Sequence, residues 1–267
     1  MKFKLDHDYH IHSRLSACSS DPSQNVAYIL QYGEKNHYKS LCLTDHYWDE
    51  KVPGASNWYA PQNTAHIMES LPLPQGEHTR FYFGCETEMD KYFRLGISPE
   101  TIEKLDFVIV PTTHLHMDGF TIDECDDNLK RRAELYVERL DKLLSMDLPF
   151  EKIGIAHLTC PLFMSRTWQD HIDAINAITD DELHAVFALA AQKGVGIELN
   201  LPDLTEYSPE GLEAVLRPNR IAKEEKNRFY FGSDAHHPAA FDRCVKKFND
   251  LADLLALTED DRFRING

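Results

Sequence analysis

The stretch Asp8-Tyr9-His10-Ile11-His12 decides how the rest of the chain is read. In an extended run alternate side chains share a face, so the two imidazoles point one way while Ile11 points the other. Alone, the pair is ambiguous, because a polar strand face gives the same letters. Working outward, short β-rich runs recur at Ser40 to Thr44, Arg80 to Cys85, Phe107 to Val110, Ile153 to Ala156, Val195 to Leu199 and Arg228 to Gly232. With Tyr9 to His12 they make seven candidate strands. Helical spacing appears between them at 25–38, 126–146 and 180–193, and an amphipathic helix over 239–256 follows the last. Asp126-Asp127-Asn128 supply cap candidates for the second of these helices. The strand and helix rhythm predicts an α/β protein, and 267 residues suit one barrel domain spanning 1–267.

The metal-competent residues gather at the strand ends. The second strand ends in Thr44-Asp45-His46 and the third in Gly84-Cys85-Glu86, while the fourth runs through Pro111-Thr112-Thr113 into His114. The fifth closes on Gly154-Ile155-Ala156-His157, and the seventh on Gly232-Ser233-Asp234-Ala235-His236. Each has an ordinary explanation as a cap, a solvated carboxylate or a satisfied histidine. Six of seven strands delivering His, Asp or Glu at their C-terminal ends is another matter, because parallel strands bring those ends to one face. The pattern predicts a metal centre there. Mixed imidazole and carboxylate donors suit Zn, Mn or Fe, whereas an all-oxygen shell suits Mg or Ca.

Lys and Arg number 28 against 44 Asp and Glu, a formal charge of −16, which disfavours long nucleic acid as a partner. A small phosphorylated substrate stays compatible, since cations held in a pocket reverse the local sign. The six cysteines are scattered without a C-x-x-C pair and read as reduced thiols. No signal-peptide run and no membrane-length apolar stretch is present, so a cytoplasmic protein is expected. The segment 47–65 is aromatic and turn-rich, and reads as a long loop beside the site or packed on the barrel rim. The sequence carries no signal for oligomeric state.

In order, D-x-H-x-H, T-D-H, G-x-E, His, His and D-x-H cover nearly the whole chain, and this series resembles the PHP (polymerase and histidinol phosphatase) phosphoesterases. The resemblance implies a distorted seven-stranded (β/α)7 TIM-like barrel holding two or three divalent ions. Carried over by position, His10, His12 and Asp234 hold the first ion, Glu86 bridges to a second on His114 and His157, and His46 and His236 take a third. It also gives Glu86, Asp234 and His236 catalytic roles. One departure is Cys18, where many members have a histidine six residues after the H-x-H. There a Cys18 thiolate, Asp21 or water completes the third ion. His116, two residues after His114, competes with it as ligand.

The implied activity is hydrolysis of a small phosphoester such as histidinol phosphate, a mononucleotide, a short oligonucleotide or a cyclic phosphodiester. A carboxylate such as Glu86 can bridge cations about 3.5–4 Å apart, close enough to share one water that ionises near neutral pH and attacks phosphorus in line. Asp8 and Asp45 lie beside ligand imidazoles, where a carboxylate can accept the second ring N–H. Arg14 and Arg166 are candidate phosphate grips in loops, Asn200 a candidate pocket residue, and His236 or Asp45 a candidate leaving-group acid beside metal-bound water. Loops 47–65, 87–98 and 158–170 would set specificity. The competing readings are an amidohydrolase acting on C–N or C–O bonds and a non-catalytic metal-binding module. Against the first stand Glu86, the terminal D-x-H and the want of a candidate bridging lysine.

Overall fold

Seven β-rich runs separated by helical segments fold as their alternation predicts. The computed structural model describes residues 1–265 apart from 165, 202, 203, 205 and 206. In chain order the elements are β1 (His7–Ile11), α1 (Val26–Lys35), β2 (Ser40–Leu43), β3 (His46–Tyr47), α2 (Thr64–Ile67), β4 (Arg80–Thr87), α3 (Pro99–Ile102) and β5 (Phe107–Pro111). There follow α4 (Leu129–Leu144), β6 (Ile153–Ala156), α5 (Trp168–Asn176), α6 (Asp180–Lys193), β7 (Gly196–Leu199), α7 (Pro209–Glu224), β8 (Arg228–Phe231) and α8 (Cys244–Leu254).

All strand pairs are parallel, in the order β1-β2-β4-β5-β6-β7-β8, with the short β3 pairing the far end of β4. The two edges meet at their C-terminal ends. Asp234 N–H donates to His10 O at 2.8 Å, and His12 N–H donates to Ala235 O at 3.1 Å. Seven parallel strands thus nearly close into a distorted (β/α)7 TIM-like barrel, the fold expected from the sequence.

The helices begin where side chains can satisfy their free N–H groups. Asn128 caps α4 by accepting from Arg131 N–H, and Thr179 with Glu182 forms a capping box at α6. Gly194, at φ 75°, ends α6 in the left-handed conformation that glycine adopts without a Cβ clash. Two long helices were not expected. α7 carries Pro218 in its interior, which breaks the sequence pattern, and α5 starts inside the segment expected to be loop. The segment read as a helix over 239–256 is divided, with a 3-10 stretch at Pro238–Arg243 before α8.

Alternation along the strands separates two cores. Outward positions such as Leu41, Leu43, Val108, Val110, Ile153, Ile155, Ile197 and Leu199 pack under the helices. Inward positions form a second cluster, with Tyr9, Cys42, Tyr82, Phe107, Ile109 and Tyr230 joined by Phe263 from the C-terminal segment. This aromatic plug fills the lower barrel. Two residues further along, the same inward rows reach Glu86 from Gly84, Glu198 from Gly196 and Asp234 from Gly232. No described helix is long and apolar enough to cross a membrane, and all six cysteines are free.

The plug needs its glycines. A Cβ at Gly154 would stand 2.5 Å from both Phe107 Cζ and the Tyr230 hydroxyl. Gly154→Ala should therefore cost about 1–3 kcal/mol of stability by overpacking, read as a lowered urea midpoint. An unchanged midpoint would show that the interior is loosely filled.

Candidate metal centre

Donors in or just after β1, β3, β4, β5, β6 and β8 converge above the plug. His10 Nε2 and His12 Nε2 lie 3.0 Å apart. Glu86 Oε2 is 3.4 Å from His10 Nε2, 3.3 Å from His12 Nε2 and 3.0 Å from His46 Nδ1. Asp234 Oδ1 is 3.4 Å from His10 Nε2 and 3.1 Å from His12 Nε2. His157 Nε2 sits 3.6 Å from Glu86 Oε1, and the His114 ring stacks on His157 at 4.8 Å between centroids. Three groups have donor atoms within 4.8 Å of one another: His10, His12, Glu86 and Asp234; His12, His46 and His236; and His114, His157 and Cys160.

The neutral tautomers of five imidazoles follow from their outer partners. His10 Nδ1 is 2.6 Å from Glu198 Oε1, and His114 Nδ1 is 2.9 Å from Glu88 Oε2, acceptors that require an N–H at Nδ1. His12 Nδ1 faces Ser16 Oγ at 2.8 Å, and that hydroxyl already donates to Asp45 Oδ1. His157 Nδ1 faces Thr113 Oγ1, which donates to the His157 carbonyl. His236 Nδ1 faces the Asp234 carbonyl at 2.9 Å. In each neutral ring Nε2 is then a bare lone pair, and in His10 and His12 two such lone pairs confront each other.

Such an arrangement asks for a cation. Glu86 Oε1 and His236 Nε2 are buried without hydrogen-bond partners, a cost of about 1–3 kcal/mol each when nothing answers them. Burial alone would raise the Glu86 and Asp234 carboxyls, yet both are held well below the usual range, Glu86 by His46 and His10, Asp234 by His10 and His12. Burial likewise opposes charge on His10 and His46, but Glu198, Asp234 and Glu86 push His10 well up, and Glu86 pushes His46 up to about 10. Protons can answer the carboxylates. A divalent ion answers the same field and also meets the lone pairs, so the residues present fit a bound metal.

Several expected roles are placed differently. Asp8 does not hold an imidazole: its Oδ2 accepts from Tyr32 of α1 and its Oδ1 from Ser233 N–H. The β1–β2 register shifts between Asp8 and Ile11, so simple alternation does not carry Asp8 to the face of His10. Asp45 does reach the cluster, through Ser16 to His12, and it also binds Ser13. Asp21 is drawn away from the cluster by His237, 3.0 Å distant, and by Ser23. Cys18 stays beside His46 and lines the cavity.

Arg166 is committed to Asp127 at 2.9 Å, and Arg14 is exposed without lining the cavity, so neither grips a phosphate here. Asn200 turns to α8, accepting from Lys247 at 3.0 Å. His116 lines the cavity, edge-on to His114, and stands outside the donor groups.

Three residues were missed. Glu198 gives one oxygen to His10 and the other to His157 N–H at 2.6 Å, clamping β7 to β1 and β6. Its only sequence signal is an acid within an otherwise apolar strand, which a search of strand ends passes over. Glu88 orients His114 and is itself held by fully buried Arg139 of α4 at 3.0 Å. Cys160 follows His157 by three residues and joins it only because the chain turns back.

A cavity of about 550 Å³ opens over the donors, lined by Glu86, His114, Asp234 and His236 and also by Trp58, Tyr59, Met117 and Leu162. The aromatic loop packs on the rim, with Trp48 and Tyr59 against Phe120, and it sets the Trp58 ring edge-on to His46 at 5.0 Å.

The solved histidinol phosphate phosphatase HisK from Lactococcus lactis subsp. lactis, complexed with zinc, L-histidinol and phosphate, is similar in structure, with TM-score 0.65 and 14% identity over 97% of this chain and 98% of that one. The putative histidinol phosphatase HisK of Listeria monocytogenes gives 0.63 and 13% over 91% and 99%. At this identity the likeness is one of fold. No protein-family model matches the chain, and no curated protein matches it in sequence.

The Glu198 clamp gives a direct test. Glu198→Gln keeps the shape but removes the charge behind His10, and should weaken zinc binding by about 10–100-fold in a chelator competition. Unchanged affinity would mean that Glu198 serves packing alone.

Proposed function

We propose that the chain is a metal-dependent phosphoester hydrolase acting on a small phosphorylated metabolite, with two or three Zn, Mn or Fe ions as cofactors. The observation that carries this reading is the inward set of imidazole lone pairs gathered around buried Glu86 and partly exposed Asp234 where a cavity opens. Ions held there would supply a water acidified to near neutral pH and positive charge for the phosphate oxygens. Glu86 suits the bridging role, since Oε2 faces His10, His12 and His46 while Oε1 faces His157. Asp234 and His236 line the cavity, where they would position the reacting group.

The cavity walls support a narrower statement. Among the described residues that line it there is no Lys or Arg, so the phosphate would be held by the ions and imidazoles rather than by a cationic clamp. Trp58, Met117 and Leu162, backed by Tyr59, instead offer a largely apolar surface to the alcohol part of the ester. An alcohol carrying a planar ring suits that surface, and histidinol phosphate is such an ester. The fold shared with HisK from Lactococcus lactis supports the same substrate class.

Purified protein stripped by chelator should lose hydrolysis of p-nitrophenyl phosphate and histidinol phosphate, and regain it with Zn or Mn. Glu86→Gln should lower kcat by at least about 100-fold, the scale of losing one charge-stabilising group, with unchanged circular dichroism. Normal turnover in that variant would sink the assignment. Trp58→Ala should raise KM about 2–10-fold for ring-bearing esters while sparing glycerol phosphate, the scale of one aromatic contact. Equal effects on both esters would remove Trp58 from substrate recognition.

A further inference from the structure

We propose that Cys160 is a thiolate ligand of the ion held by His114 and His157, so that this position of the centre has a soft donor. The inference rests on the metal-centre reading above. The geometry begins at the end of β6, where Cys160 N–H donates to the His157 carbonyl at 3.0 Å and folds Leu158 and Thr159 into a turn. That turn returns the sulfur to the imidazole it follows, and the ligand atoms of His114, His157 and Cys160 all lie within 4.8 Å of one another.

The turn is anchored from outside. Phe163 is fully buried, and its carbonyl accepts from Arg132 of α4 at 2.6 Å, which fixes the short 3-10 stretch that begins directly after Cys160. Beside this group, Glu86 Oε1 is buried and unpartnered, 3.6 Å from His157 Nε2, although Glu86 itself belongs to the neighbouring group with His10, His12 and Asp234.

Two imidazoles and one thiolate make a three-donor set suited to zinc, which keeps its fourth tetrahedral position for water or a further oxygen. As the sulfur–metal bond forms, the Cys160 S–H proton passes to solvent, with no change of oxidation state. The soft sulfur selects Zn or Co over Mn and Mg at this position. Cys18, beside His46, is the other cysteine near the donors and provides the internal control.

The test uses the full chain stripped of metal and reloaded with cobalt, following bound cobalt by elemental analysis and the near-ultraviolet spectrum together. A thiolate-to-cobalt charge-transfer band is expected in the wild type and in Cys18→Ser, and should vanish when Cys160→Ser is added to Cys18→Ser while cobalt still binds. A band that survives in this double variant, or a Cys18→Ser protein loaded with cobalt that shows none, overturns the thiolate ligand and leaves the metal centre standing. A chain that takes up no cobalt overturns the centre itself, and the ligand with it. Should Cys160→Ser fail to fold, alkylation of the wild type decides: zinc should protect Cys160 relative to exposed Cys125, and equal labelling with and without zinc overturns the proposal.

Discussion

Two carboxylates, the buried Glu86 and the partly exposed Asp234, set the terms for the upper half of the barrel. A carboxylate removed from water costs several kcal/mol unless opposite charge or hydrogen bonds answer it, and each is ringed by imidazoles instead of by amides or hydroxyls. The imidazoles are in turn held from behind, by Glu198, Glu88, Asp45 through Ser16, and Thr113. Arg139 then neutralises Glu88, and taking away one member of such a buried pair costs about 3–5 kcal/mol. The charge is therefore compensated in shells. The innermost shell is the one that a divalent ion would complete.

The barrel supplies the conditions under which those shells can hold. Parallel pairing sends every strand end to the same face, and the β1–β8 bonds at His10 and His12 bring the first and last motifs of the sequence together. Below them the aromatic plug fills the interior with Tyr9, Phe107, Tyr230 and Phe263, so that water reaches the donors from the cavity side. The glycines of the inward rows belong to the same design. At Gly232 a Cβ would collide with Glu198 Oε1 and crowd His10, so the small residue before Asp234 makes room for the clamp.

The strand-end residues could be read from the sequence because each closes a β-rich run, and the fold followed from the same runs. Glu198 could not, because it sits inside a strand whose end, Leu199-Asn200, advertises a different residue. Asp8 was misplaced by an irregularity in strand register that no letter pattern records. Arg14 and Arg166 failed for another reason, since side chains in loops take their direction from tertiary partners, and Asp127 claims Arg166. Pro218 hid α7, and Cys160 reaches its histidine by a turn rather than by strand periodicity.

The division of labour in the cavity bears on how an acidic chain would attract an anionic substrate. With a formal charge of −16 the long-range field repels phosphate, and the described cavity lining adds no Lys or Arg to offset it. The attraction must then be local, arising within a Debye length of about 8 Å from ions and imidazoles at the donor cluster. Binding by that route would select for esters small enough to bring phosphorus to the donors while the remainder lies against the aromatic lining of the cavity. A long polyanion would leave most of its charges against the acidic exterior. Under the proposed function the aromatic loop would thus do more than cover the rim: it would limit how much of a substrate can follow the phosphate inward.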